Sequence, residues 1–329
     1  MIVRRRHFVL SALAGATAAC SRAPEAATAT APAAAPDGAT AGQPESTPAP
    51  PPKDGVVVVG GAELTVLIEG SNPSLPRSTY EAWVRRSAEM ITAYYDGTFP
   101  VPSLEVKLVT TGRGSVGYGH HQQGRWVTIY CGRRTRESSL QSDWVMVHEM
   151  LHATFPDLPN QYNWMQEGLS TYLEKIVRAR AGAYDEQQVW RGFAKSMHHG
   201  RPRAGDRGLD VTRTWGRLYW GGALFWMVAD VELRKATDNR KSLRDALLHI
   251  ASIGGNAREM WTTRRVCAEA DAGTGTTVVS DLYKRMALAP GDVDLDRLWA
   301  ELGVVRVGRS VEFDDTAPLA EIRRGICAS

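Results

Sequence analysis

The sequence predicts an α+β fold in two lobes, a mixed α/β lobe first and a mostly helical lobe after it. Three observations carry this. Up to about residue 130, β-branched runs surround one long amphipathic stretch. Beyond residue 140 the apolar residues recur at helical spacing. The segment 56–329, roughly 275 residues, is long enough for one large domain or two lobes around a cleft.

Residues 1–19 read as an export signal. Arg4-Arg5-Arg6 precede a short apolar run from Leu10 to Ala19, too short to span a bilayer. Arg5-Arg6-x-Phe8-Val9-Leu10 resembles a twin-arginine signal, and Thr17-Ala18-Ala19-Cys20 resembles a lipoprotein cleavage site. Cys20 is then the lipid attachment point, and the expected location is the periplasm or cell envelope, with the protein anchored as a lipoprotein. Residues 20–55 are rich in Ala, Pro and Thr, bury too little to fold, and read as a tether.

In the folded part, Val56–Val59 and Leu64–Ile68 read as strands joined at Gly60-Gly61. An amphipathic helix is expected over 80–95, then strands at 104–109 and 126–130. Trp144 to Phe155 reads as a helix, with Ser142 as its cap, Asp143 in the first turn and Pro156 closing it. Helices follow near 218–235, 243–250, 282–286 and 295–302. A terminal hairpin pairs 304–307 with 310–313 through Gly308-Arg309. There is no internal repeat.

Within the 144–155 helix lies His148-Glu149-Met150-Leu151-His152, an H-E-x-x-H sequence. Residues four apart share a helix face, so both imidazoles can reach one metal ion at about 2.0–2.1 Å. Glu149 points to the side of that pair, where it can act as a base on water at the metal. A catalytic zinc needs a third protein ligand and an open position. Glu167 is the first candidate, separated from His152 by fourteen residues rich in turn formers. Glu174, two turns on, competes with it; Asp157 is a weaker choice, and an exposed helix charge is the plain alternative for Glu167.

His148-Glu-x-x-His152 followed by Glu167-Gly168-Leu-Ser-Thr-Tyr172 resembles the gluzincin metallopeptidases, which take two His and a downstream Glu as zinc ligands. Tyr219-Trp-Gly-Gly-Ala223-Leu224 and the helix after it are similar to a block of the glycyl aminopeptidase family, and more distantly to the large zinc aminopeptidases. The resemblance covers roughly residues 140–250. It implies a thermolysin-like two-lobed metallopeptidase domain, with the zinc helices near 140–175 at the lobe junction. It also implies one Zn²⁺ per chain held by His148, His152 and Glu167, with Glu149 as general base. Tyr219 is implied to stabilise the transition state; membership of the following helix core is its plain alternative. The Gly-x-Met-Glu-Asn strand of the large aminopeptidases, whose Glu holds the substrate amine, has its counterpart in 117–130, which contains no acidic residue. His120-His121 read as an exposed loop pair, with a place lining the cleft as the alternative, and His198-His199 read as an exposed loop pair.

Charge excludes one partner class. The chain is +3, and Arg4, Arg5 and Arg6 account for it, with no basic stripe that would track nucleic acid. Of the four cysteines, Cys131, Cys267 and Cys327 remain if Cys20 is acylated, with Cys267–Cys327 the expected pair. Ser139 and Ser170 lack the glycines of a nucleophile elbow. The expectation is an exported zinc metallopeptidase acting on peptides or proteins, with membrane contact only through the lipid. A non-catalytic zinc lipoprotein that binds peptides or partners, and a zinc amidase acting on a cell-wall component, are the alternatives.

Overall fold

Val56–Val59 (β1) and Ala62–Glu69 (β2) form an antiparallel hairpin. Gly60 and Gly61 turn the chain at φ 55° and 78°, where glycine is at ease. Arg77–Tyr94 (α1) starts three residues before the expected 80 because Pro76 sits at its N-cap position, and it stops before Asp96 and Gly97, both at positive φ. Ser103–Thr110 (β3), Val116–Gln122 (β4) and Trp126–Cys131 (β5) complete a sheet of order β1-β2-β3-β5-β4. The two inner pairings, β2 with β3 and β3 with β5, are parallel; the two outer ones are antiparallel. β4, which the sequence reading left unassigned, is therefore an edge strand. It is joined to β5 at Gln123 and Gly124, both at positive φ. A computed structural model describes residues 55–70 and 73–328, so residues 1–54, with the signal, Cys20 and most of the tether, lie outside it.

The helical part begins with Glu137–Gln141 (α2) and Val145–His152 (α3). Asp143, not Ser142, caps α3: its two carboxylate oxygens accept from the Val145 and Met146 amides at 3.1 and 2.9 Å. A short turn at Asn160–Tyr162 leads into Asn163–Arg180 (α4). Glu186–Ser196 (α5) and a turn at Met197–Gly200 come next.

The helix expected over 218–235 is split. Gly216–Gly221 is a π-helical turn, and Gly222–Ala236 (α6) continues as ordinary α-helix. The backbone there is squeezed from two sides: a Cβ on Gly222 would lie 2.0 Å from the Trp164 carbonyl, and one on Gly200 would lie 2.2 Å from that of Trp220. Leu243–Ser252 (α7), Thr263–Thr274 (α8), Val278–Met286 (α9), Leu295–Leu302 (α10), a hairpin of Val304–Val307 (β6) and Ser310–Phe313 (β7), and Ala320–Cys327 (α11) finish the chain.

α4 and α6 are buried on nearly every side and form the helical core. Trp226 Nε1 donates to the Met165 carbonyl at 2.8 Å, and Tyr172 donates to Asp230 at 3.0 Å. Asp230 in turn takes Arg234 at 3.0 Å and the Leu243 amide at 3.1 Å. A buried carboxylate with three donors has its charge and lone pairs answered, so this clamp holds α4, α6 and α7 in one register. All described residues belong to one compact unit, a sheet part followed by a helical part. Among the described residues no helix is long and apolar enough to cross a membrane.

The expected Cys267–Cys327 disulfide is absent. Cys267 is a free thiol on α8 beside Asp271, and Cys327 a free thiol on α11 beside Glu186 and Trp190; Cys131 is also free. Burial pushes each thiol up to about 12, which makes all three poor nucleophiles and poor metal ligands.

Candidate metal centre

α3 presents His148 and His152 one turn apart, both buried. Every residue of α3 is buried, so its orientation is set by packing on all sides rather than by an exposed face. α4 brings in Glu167. Its start is tied down by Gln166, whose Nε2 donates to the Asp157 carboxylate at 3.2 Å and the Pro156 carbonyl at 3.3 Å. Glu167 Oε2 lies 3.3 Å from His148 Nε2 and 3.4 Å from His152 Nε2.

The three side chains are the one group among the described residues whose ligand atoms lie within 4.8 Å of one another in the manner of a metal site. Two imidazoles and a carboxylate suit zinc, with a position left open. Both rings turn Nε2 inward, and Nδ1 of His148 is buried without a hydrogen-bond partner, so the ring's polar contact is on the inner side.

The electrostatics separate the two carboxylates. Burial pulls Glu167 up, but His152 and His148 outweigh it and hold the carboxyl well below its usual range. Glu149 has no such pairing. Burial pushes it up to about 7, with His152 opposing and Glu167 adding to the rise. One carboxylate is thus a standing anion and the other a group that can take up a proton.

Glu149 is held by β4. A Cβ on Gly119 would lie 2.6 Å from Glu149 Cγ and equally close to Ile129, so only glycine lets the edge strand run this near the carboxylate.

Tyr219 lies on the π-helical turn, half-buried, and is distinct from the core aromatics Phe225 and Trp226. Burial and then the carboxylates of Glu167 and Glu149 raise its hydroxyl, which keeps the phenol protonated and able to donate. Single π-helical turns are frequent at functional sites. Its neighbour Trp215 is exposed, with ring centroids 6.2 Å apart.

The other two candidate ligands have partners of their own. Glu174 is buried against Lys175 at 3.1 Å and Arg178 at 3.8 Å. Asp157 accepts from Gln166 and from the Leu158 amide.

His121 corrects the sequence reading. It is not an exposed loop residue but sits on β4, its ring stacked on His152 with centroids 5.4 Å apart. Its Nε2 accepts from the Gly124 amide at 2.8 Å, which leaves the proton on Nδ1 when the ring is neutral. Burial, with the neighbouring His152, presses it down to about 3. The missed signal was the period of two: residues 119 and 121 face α3, while Tyr118 and His120 pack on Tyr130 on the other face. Of the other pair, His198 is exposed but His199 is half-buried, its ring 5.8 Å from that of Trp215, and both lie on the turn at Met197–Gly200 rather than in a loop.

No protein-family profile matches the chain, and no curated protein matches it. The fold has solved counterparts. An aminopeptidase N family protein from Idiomarina loihiensis superposes with a TM-score of 0.59 at 16% identity, over 76% of this chain and 49% of that one. The fold is therefore that of part of an aminopeptidase N family protein. An M1 zinc metallopeptidase from Deinococcus radiodurans is less similar, with a TM-score of 0.45 at 17% identity, over 70% of this chain and 49% of that one. The chain spans about half the length of the solved structures it matches.

Proposed function

We propose that this chain is a zinc-dependent peptidase. The observation that carries the reading is the convergence of His148 Nε2, His152 Nε2 and Glu167 Oε2 in one buried group. These three residues would hold the metal. When bound, zinc supplies Lewis-acid polarisation and lowers the pKa of water towards 7. Glu149 takes the proton of the attacking water and delivers it to the leaving amine. Tyr219 donates its O–H to the oxyanion of the tetrahedral intermediate. His121, stacked on His152, adds a neutral imidazole beside the group.

The free edge of β4 supports a peptide substrate. Among the described residues β4 pairs with β5 on one side only, which leaves its other row of amides and carbonyls for an extended chain. β4 carries His120 and His121 and no carboxylate. This favours internal bonds over removal of N-terminal residues, because no acid on the strand is placed to hold a free amine. The basic, Cys-containing N-terminal segment supports export and anchoring in the cell envelope.

Two expected results test this. Elemental analysis should find about one zinc per chain, lost or much weakened in His148→Ala and in Glu167→Ala, since removing one of three ligands leaves too few for a closed set. Zinc retained in Glu167→Ala would put the third ligand elsewhere, and no zinc after reconstitution would end the reading. Tyr219→Phe should keep its zinc and lose roughly 10²-fold in kcat with little change in KM, as expected for a donor that acts on the transition state. Rates would be read on peptides picked out by a library digest analysed by mass spectrometry. A KM effect alone would return Tyr219 to the helix core.

A further inference from the structure

A cavity of about 620 Å³ lies between α4, α5 and the β6–β7 hairpin, and none of the metal-centre residues lines it. Its charged lining is all of one sign: Lys175 from α4, Arg191 and Lys195 from α5, Arg306 and Arg309 from the hairpin, with no acidic side chain among them.

Several placements converge. Arg191 and Lys195 are four apart and share one face of α5. Gly192 between them leaves room for Lys175, whose Cε would lie 3.0 Å from a Cβ at that position. Arg306 and Arg309 flank the hairpin turn, where Gly308 stands at φ 58°. Lys175 has Glu174 at 3.1 Å, a carboxylate it shares with Arg178. Arg191, Lys195, Arg306 and Arg309 have no carboxylate partner among the described residues.

On a convex surface this would be a solvated charge run. Inside a concavity with low-dielectric walls, like charges focus their field and raise the local concentration of anions. Three of the five are arginines, whose planar fork matches the oxygens of a phosphate in pairs. An acidic peptide would spread its carboxylates at about 3.3 Å per residue and would need an open groove. The hairpin closes one side of this cavity, which suits a compact ligand.

We propose that this cavity is a binding site for a compact polyanion bearing several phosphate groups, either a soluble phosphate compound or the headgroup of a phosphorylated lipid. The test is calorimetric titration of the full chain with tripolyphosphate at constant ionic strength. It is repeated on Arg306→Glu/Arg309→Glu and on Arg191→Ala/Lys195→Ala. All four side chains are exposed and contribute nothing to the core. Circular dichroism checks that each variant is folded.

Binding weakened at least about tenfold in both variants is the expected result. Cosedimentation with phosphatidylcholine vesicles, with and without phosphatidylinositol bisphosphate, separates the sources. Uptake that needs phosphatidylinositol bisphosphate and falls in both variants assigns a lipid headgroup. Binding of tripolyphosphate alone assigns a soluble ligand. The proposal is overturned if neither probe binds, if the variants bind as well as the parent chain, or if polyglutamate binds more tightly than tripolyphosphate.

Discussion

Glu149→Gln should lower kcat by about 10²- to 10⁴-fold while the zinc content stays at the parent level. The amide keeps the volume and the hydrogen-bonding reach of the carboxylate but cannot take a proton from water. The substitution also leaves His148, His152 and Glu167 in place, so metal content and turnover separate. The group is placed for this role. It follows His148 on a helix buried along its whole length, and the Gly119 backbone of β4 presses against its Cγ. It is also the carboxyl that burial pushes up to about 7, while the histidines hold Glu167 ionised. The measurement is single-turnover cleavage of a library-derived peptide, beside elemental analysis of the same sample. Near-parental rates in Glu149→Gln on every cleaved peptide would mean that another group moves the proton. Loss of zinc in this variant would mean instead that Glu149 helps hold the metal.

Gly168→Ala should destabilise the fold by at least about 3 kcal/mol, at the top of the usual range for an overpacked core. A Cβ at Gly168 would lie 2.2 Å from the carbonyl carbon of Gly222 and 2.3 Å from its Cα. The clash is with backbone, so no side chain can swing away; α4 and α6 must separate. The sign of the effect is informative. Alanine in the interior of a helix is ordinarily better than glycine by about 1 kcal/mol. An exposed glycine at this position would therefore give a more stable variant. The consequence for the site is direct, because Gly168 follows Glu167, and Gly222 follows the turn that carries Tyr219. Separating the helices moves Glu167 and the Tyr219 phenol together. Guanidinium unfolding would show the lowered midpoint, and elemental analysis the weakened zinc. A midpoint equal to or above that of the parent chain would sink the idea that this crossing sets the site.

Most of the candidate site was legible because its residues are local. Two histidines four apart need only a helix to share a face, and Glu149 needs only to follow one of them. The strands 56–59, 304–307 and 310–313 and the helix 295–302 were read with their observed ends, since apolar spacing and flanking turn residues mark them. What was missed had weak local signal. α8 is built of small and polar residues and buries Val266, Cys267, Ala270 and Asp271, so it shows little apolar contrast. α5 carries a capping box, Asp185 with Gln188, as its one strong local signal. β4 holds two glycines and two histidines in seven residues, a composition that reads as loop.

By itself, then, the sequence determined the order of sheet and helices, the H-E-x-x-H face and a short list of third ligands. These follow from periods of two and 3.6 along the chain. Only the tertiary structure decided that Glu167 meets the histidines and Glu174 pairs with Arg178. Tertiary contacts likewise split the Tyr219 helix with a π turn, laid His121 against His152 and kept Cys267 and Cys327 apart. Those choices depend on which residues distant in sequence come within a few ångströms, as at the close approaches of Gly168 to Gly222 and of Gly119 to Glu149 and at the buried Asp230 clamp, none of which has a local periodicity to announce it.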